Sequence, residues 1–345
     1  MTTRVSSPIL GASYNPSKDL RAKRRFNKKE VDNLVKFFHE KLTKRSGSWK
    51  GRRSRPPWRG VRMAMLLKAA MEEFLSDWST DLNEPWRSLI RHPGPDVDGI
   101  AAELELEVWE PIFPVRRGKH LPGMPAGAHC LRAFDGIAPE EVRCVVLGQD
   151  PYPEPGFATG RAFEAGNLAG WHELDKMFSK SIRAYMQMIL AARTGDLSYA
   201  RSFDDWPKTL AAMEGGAADI EQPSDIADRW VSNGVLLLNA SLTLTRFKVD
   251  MDPHQSKGHL RLWRPLIVET LRALALQGKP LVLLGFGDAA AEALAEAGID
   301  ENASGRLRCV LRDHPAHAEA VLSRPNPFIL CNRYLEEMGS RPIAW

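Results

Sequence analysis

From about residue 96 the chain alternates short apolar runs with longer segments of helical periodicity, the pattern expected of a parallel α/β sheet. Four runs stand out: Arg143–Leu147 (RCVVL), Val235–Leu238 (VLLL), Pro280–Leu284 (PLVLL) and Leu307–Leu311 (LRCVL). None shows the polar alternation of a half-exposed strand, so each is predicted to lie in the centre of a sheet covered on both faces. The expected fold is a three-layer α/β/α sandwich with a central four-stranded parallel sheet. The runs are followed by GQDPYP, NASLTL, GFGDAA and RDHPAH, all rich in polar and turn-forming residues. Ligands of open α/β sheets bind outside the carboxyl ends of the strands. One cleft is therefore expected to collect Asp150, Asn239, Asp288 and His314 from distant parts of the chain.

Upstream the pattern differs. Residues 1–27 read as loosely ordered, and residues 28–44 place Val31, Leu34, Val35, Phe38 and Leu42 on one helical face. The segment SGSWKGRRSRPPWRG at 46–60 reads as a loop, and a second helix is predicted from Val61 to about Trp78. Pro85 and the HPGP at 92–95 mark a boundary. The expected organisation is thus a basic, mainly helical N-terminal extension over residues 1–95, followed by an α/β domain over 96–345. No internal repeat is apparent.

Charge sharpens that division. Of the 345 residues, the first 63 carry 18 Lys+Arg against 4 Asp+Glu, a net of +14, whereas the rest carries 29 against 39, a net of −10. A basic arm on an acidic body suits a polyanionic partner, because neutralising phosphates releases counterions. Trp49 and Trp58 lie among Lys50, Arg52, Arg53, Arg55 and Arg59, an arrangement able to stack on bases while contacting phosphates; a solvated tail is the alternative. No apolar run approaches a membrane span, and the polar, basic start lacks a secretory signal, so a cytoplasmic protein without a membrane partner is expected. Cys130, Cys144, Cys309 and Cys331 are widely spaced with no C-x-x-C pair, which favours buried free thiols over a metal site. Neither a metal nor a cofactor is expected.

The segment VVLGQDPYPEPGFATGRAF at 145–163 resembles the leading motif of uracil-DNA glycosylases, GQDPYHGPGQAHGLCF. The likeness continues in order. NGVLLLNASLTL at 233–244 is similar to the family's GVLLLN motif, and HLRLWRPLIVETL at 259–271 resembles the helix that follows it. LVLLGFGDAAAEAL at 281–294, DHPAHAEAV at 313–321 and PFILCNRYLEEMGSRPIAW at 327–345 resemble the LLWG, HPSPLS and closing segments. The resemblance covers about residues 100–345 and is interrupted by an insertion at about 165–230, with an amphipathic helix near Trp171–Arg193, placed to roof the cleft or add DNA contacts.

What the resemblance implies is hydrolysis of the bond between a flipped-out pyrimidine and its sugar, leaving an abasic site. Such chemistry needs a carboxylate to balance an oxocarbenium-like sugar and position water, a donor for the departing base, and an amide to read the base edge. By the resemblance Asp150 is the carboxylate and His314 the donor to base O2. Asn239 reads the edge, Gln149 places its backbone beside the base, Tyr152 forms the wall at base C5, and Phe163 stacks on the base. The Asn239 amide can serve a uracil edge, or flip to serve a cytosine edge. Arg161, Arg246, Lys248, Ala316 and His317 fall where strand-backbone contacts are expected. The implied partner is DNA, single- or double-stranded and base-modified, bound by a monomer.

The sequence departs from the family in two places. Pro153 stands where the motif has His, removing an ionisable side chain and a backbone donor together. In HPAHAE the backbone-clamping Ser becomes Ala316 and the wedge Leu aligns with Ala318, leaving Val321 or Leu322 as substitute wedges. Tyr152 argues for uracil, and the departures argue for an altered base such as a hydroxymethylated or glucosylated cytosine of phage DNA. A catalytically idle DNA-binding module is the third reading. Deleting residues 1–63 is expected to weaken DNA binding and flatten its salt dependence. Anisotropy titrations at several salt concentrations check this, and unchanged affinity and slope would contradict it.

Overall fold

The computed structural model describes residues 64–90, 92–107, 109–175, 180–246 and 253–345. The helix expected over 28–44, the basic loop with Arg52, Arg53 and Arg55, and Lys248 lie outside the described residues. One compact body runs from Leu66 to Trp345. Residues 66–95, which turn signals group with the extension, are part of that body: Leu67–Phe74 forms a helix, and Trp86 is buried with its indole N–H donating to the Ile137 carbonyl at 2.8 Å.

At its centre are four parallel strands: β1 (Cys144–Gly148), β2 (Val235–Asn239), β3 (Leu281–Phe286) and β4 (Leu307–Arg312), in the spatial order β2-β1-β3-β4. Every residue of β1, β2 and β3 is buried, as the unbroken apolar runs require of strands covered on both faces. The flanking helices are α1 (Lys180–Thr194), α2 (Ile226–Ser232), α3 (Leu260–Ala275), α4 (Asp288–Glu296), α5 (Ala318–Leu322) and α6 (Pro327–Glu337). α3 packs with α4, and α4 packs on β3 and β1; α1 packs with α5 and α6, and α6 packs on β3 and β4. The expected α/β/α layering is the observed one.

Two sequence expectations change. The helix of the 165–230 segment begins at Lys180 and buries ten of its residues, Tyr185, Met186 and Ile189 among them, so it is a core element and not a roof. Asn326 ties it down by donating from its amide to the Met188 carbonyl at 2.8 Å. Val321 and Leu322, considered as wedges, are buried on α5 together with Ala318, so none of the three projects toward a partner. The four cysteines are buried free thiols.

Leu237 on β2 is fully buried and faces Val146 of β1 in register. Leu237→Ala is expected to lower stability by about 2–5 kcal/mol through lost burial and an unfilled cavity, which urea unfolding would measure.

Candidate active site

The register of the two inner strands places the central pair of residues. β1 and β2 run in parallel with Gly148 opposite Asn239, and the pairing continues past the strands: Ala240 N–H donates to Gly148 O and Ser241 N–H to Gln149 O, both at 2.9 Å. Gln149 and Asp150 are thereby held beside Asn239. Gly148 allows this closeness, since a Cβ there would lie 2.5 Å from Asn239 Oδ1 and 3.4 Å from the Phe163 ring. Asn239 is buried, and its side-chain amide makes no hydrogen bond among the described residues, leaving both its donor and its acceptor for a ligand.

Asp150 is partly buried and accepts hydrogen bonds on Oδ2 from Gln255 Nε2 at 2.9 Å and Gln149 Nε2 at 3.3 Å. Burial raises its pKa to about 6, and the two amides offset part of that rise. The carboxyl is therefore ionised at neutral pH while remaining in a poorly solvated place.

His314 follows β4 on the far side of β3. With strands about 4.8 Å apart, the ends of β1 and β4 are separated by roughly 10 Å, room for a planar base between them. Gly287, after β3, has a φ of +85° and approaches the His314 side chain so closely that a Cβ would lie 3.1 Å from it. Burial, with His317 nearby, lowers the His314 pKa to about 4, so the ring is neutral at physiological pH. Its Nδ1 accepts the Ala316 backbone N–H at 3.2 Å, which leaves the proton on Nε2. A neutral imidazole with a fixed Nε2–H is a donor suited to an oxygen that gains negative charge.

Phe163 adopts a φ of +57°, uncommon for a bulky residue and a frequent mark of functional sites. One face of its ring stacks on Tyr185 of α1, with centroids 4.3 Å apart and planes 9° from parallel, and the residue remains half-buried. The inserted segment thus supplies the support for the Phe163 ring. The Tyr152 hydroxyl is buried without a partner among the described residues, and burial raises its pKa, with Glu164 adding to the rise.

Other expected site residues are placed differently. Asp288 lines a groove of about 840 Å³ with Gln149, Ser256, Arg261 and Arg264, to which Asp150, Asn239 and His314 do not contribute. Arg161 is buried, with its guanidinium 2.6 Å from Asp228 and 3.4 Å from Glu164, so it braces the loop and is not offered to a strand backbone. Arg246 pairs with Glu110 at 3.0 Å and donates to His254. Ala316 and His317 are exposed on the β4 loop, where His317 N–H donates to the His314 carbonyl at 2.8 Å. Sequence reasoning missed Gln255, which belongs to no motif and whose turn has no regular periodicity. Among the described residues no helix is long and apolar enough to cross a membrane, and no cluster of potential ligands could hold a metal.

Comparison with known proteins then decides the family. The chain is 31% identical over 226 residues to the uracil-DNA glycosylase of Thermobifida fusca, covering 64% of this chain and 79% of that one. It is 29% identical over 233 residues to the enzyme of the same name from Mycobacterium tuberculosis, covering 64% and 80%. The chain belongs to the uracil-DNA glycosylase superfamily. It is a divergent member of this group of DNA glycosylases, and no family model matches it. Its fold is similar to UNG from Nitratifractor salsuginis, with a TM-score of 0.50, 24% identity, and coverage of 77% of this chain and 96% of that one. It is likewise similar to mimivirus uracil-DNA glycosylase, with a TM-score of 0.50, 13% identity, and coverage of 80% and 92%.

The raised Asp150 pKa carries a stability consequence with a definite sign. The folded protein holds this proton more tightly than the unfolded chain, so ionisation costs stability, and the cost grows as pH rises from about 4 to about 6. Asp150→Asn is expected to be at least as stable as the parent at pH 7.5 and to lose that advantage near pH 4, as denaturant titrations at the two pH values would show. A variant markedly less stable than the parent at pH 7.5 would contradict the assignment.

Proposed function

We propose that the protein hydrolyses the N-glycosidic bond of a flipped-out pyrimidine in DNA, with uracil as the base, leaving an abasic site in DNA repair. The observation that carries this reading is the placement of three groups at the strand ends of one sheet: Asp150 held beside Asn239 by the β1–β2 register, and His314 with its Nδ1 accepting from Ala316 so that Nε2 is the donor.

In this reading the base lies against the free face of Phe163, with its edge at Asn239 and its O2 at His314. As the glycosidic bond lengthens, positive charge gathers on the sugar and is balanced by Asp150, which also orients the attacking water. Negative charge passes to the base and is met by the His314 donor, already oriented by Ala316. Water adds to the sugar carbon, its proton is taken up through Asp150, and the base leaves with the bonding pair. Tyr152, beside the base, favours a pyrimidine without a C5 substituent. The partner is DNA, bound by a monomeric cytoplasmic protein; Ala316 and His317 on the exposed loop, and Arg52, Arg53, Arg55 and Lys248, are the proposed backbone contacts, whereas Arg161 and Arg246 act within the protein.

A second reading has a specific support. The Asn239 amide has no protein partner to fix its orientation among the described residues, so it can flip to serve a cytosine edge. With Pro153 and the altered HPAHAE loop, this favours a modified cytosine of phage DNA as the alternative substrate, in antiviral defence.

Incubation with a uracil-containing single-stranded oligonucleotide and, in parallel, with phage DNA carrying defined cytosine modifications, with released base identified by mass spectrometry, tests both. Uracil release is expected, falling as pH drops through about 6, with Asp150→Asn slower by roughly 10²-fold or more. Release of a modified cytosine alone would select the second reading, and no release from either DNA would overturn both.

A further inference from the structure

Gln255 lies outside every strand-end motif. It opens the π-helical turn Gln255–His259 that leads into α3, a local irregularity often found at functional sites. Its Nε2 makes the shorter of the two hydrogen bonds to Asp150, 2.9 Å against 3.3 Å from Gln149. The residue is only 7% exposed, and its Oε1 is buried with no partner among the described residues. An unpaired buried acceptor destabilises a fold, so packing alone does not account for this amide.

The turn itself is anchored by a chain of side-chain hydrogen bonds. Arg246, which can only donate, binds His254 Nε2. His254 therefore carries its proton on Nδ1 and donates to Thr245 Oγ1 at 3.0 Å. The Thr245 hydroxyl donates to His259 Nε2 at 3.3 Å, and His259 Nδ1–H donates to Thr243 Oγ1 at 2.9 Å. Thr243 Oγ1 also accepts the Trp263 indole N–H at 2.7 Å. Both histidines are buried, burial holds His259 neutral, and together they fix the residues on either side of the Gln255 turn. The Asp150 loop has little of its own to offer: Pro151 and Pro153 flank Tyr152 and lack backbone donors.

We propose that Gln255 is a positioning residue for Asp150, fixing the carboxylate's orientation and stabilising its ionised form through an amide carried on the turn that His254 and His259 anchor. This rests on the glycosylase reading for its catalytic consequence, though not for its electrostatic one. The titratable groups on the surrounding elements are Tyr152 on the same loop, His254 and His259 at the α3 entrance, and His314 after β4. Burial holds Tyr152, His314 and His259 neutral at neutral pH, and His254 lies on the far side of the turn, bonded to Arg246 and Thr245. The two amides are thus the direct partners that favour the charged carboxyl.

The test uses the full chain and Gln255→Met, which keeps the side chain's size while removing both the donor and the orphan acceptor. Carbon-13 NMR of labelled aspartate would follow the Asp150 carboxyl, assigned with Asp150→Asn. The expected result is an upward shift of about one pH unit in the variant, the worth of one hydrogen bond to a charged group, with a melting temperature equal to or above that of the parent. On uracil-containing DNA, the acidic limb of the rate profile would move by the same amount, and kcat at pH 7 would fall at least about twofold, as the ionised fraction drops from about nine-tenths to about half, with KM unchanged. Gln255→Glu would raise the Asp150 pKa further by like-charge repulsion. An Asp150 titration that does not move in Gln255→Met, or a rate loss that tracks only a lowered melting temperature, would overturn the proposal. Should the parent release no uracil, the functional reading falls while the carboxyl titration still decides the role of Gln255.

Discussion

The site depends on one pairing: β1 against β2 in parallel, with Gly148 facing Asn239. A sheet has only one register that puts a strand-end carboxylate beside a strand-end amide, and here the backbone bonds from Ala240 and Ser241 extend that register through the residues preceding Asp150. The runs on both strands are buried on both faces, which gives the pairing its strength. The absence of a side chain at Gly148 is a local condition with a long reach, since it leaves room at once for the Asn239 amide and the Phe163 ring.

Burial then divides the work between two ionisable groups. The same poor solvation raises the carboxyl of Asp150 to about 6 and lowers the imidazole of His314 to about 4, so at neutral pH one is an anion and the other a neutral donor. Opposite shifts of this kind are how one environment assigns opposite electrostatic tasks to two residues. Burial is the larger cause of both shifts, with His317 adding to that of His314; Gln149, Gln255 and the Ala316 amide supply the orientation.

Much of this was legible in the sequence, for physical reasons. Unbroken runs such as RCVVL and VLLL mark strands buried on both faces, and the observed β1 and β2 begin or end within a residue of the expected limits. Asp150, Asn239 and His314 were legible because strand ends in this topology are where ligands bind, and because their motifs occur in order. What escaped were features set by three-dimensional packing. Arg161 has the composition of a surface contact, yet Glu164 and Asp228 draw it inside. The segment after residue 165 reads as an amphipathic roof, whereas its helix is buried broadly enough to belong to the core and to back Phe163 with Tyr185. Gln255 carries no signal in a linear pattern, because its importance comes from a turn of irregular period that faces a loop 105 positions away.

The most direct test of the account is a crystal structure with single-stranded DNA containing 2′-fluorinated deoxyuridine, whose glycosidic bond resists cleavage. The account predicts the base flipped against Phe163, its O2 within about 3 Å of His314 Nε2 and its other edge paired with the Asn239 amide, with Asp150 beneath the sugar. A base bound in the groove lined by Asp288 and Arg261, or one that leaves Asp150, Asn239 and His314 untouched, would contradict it.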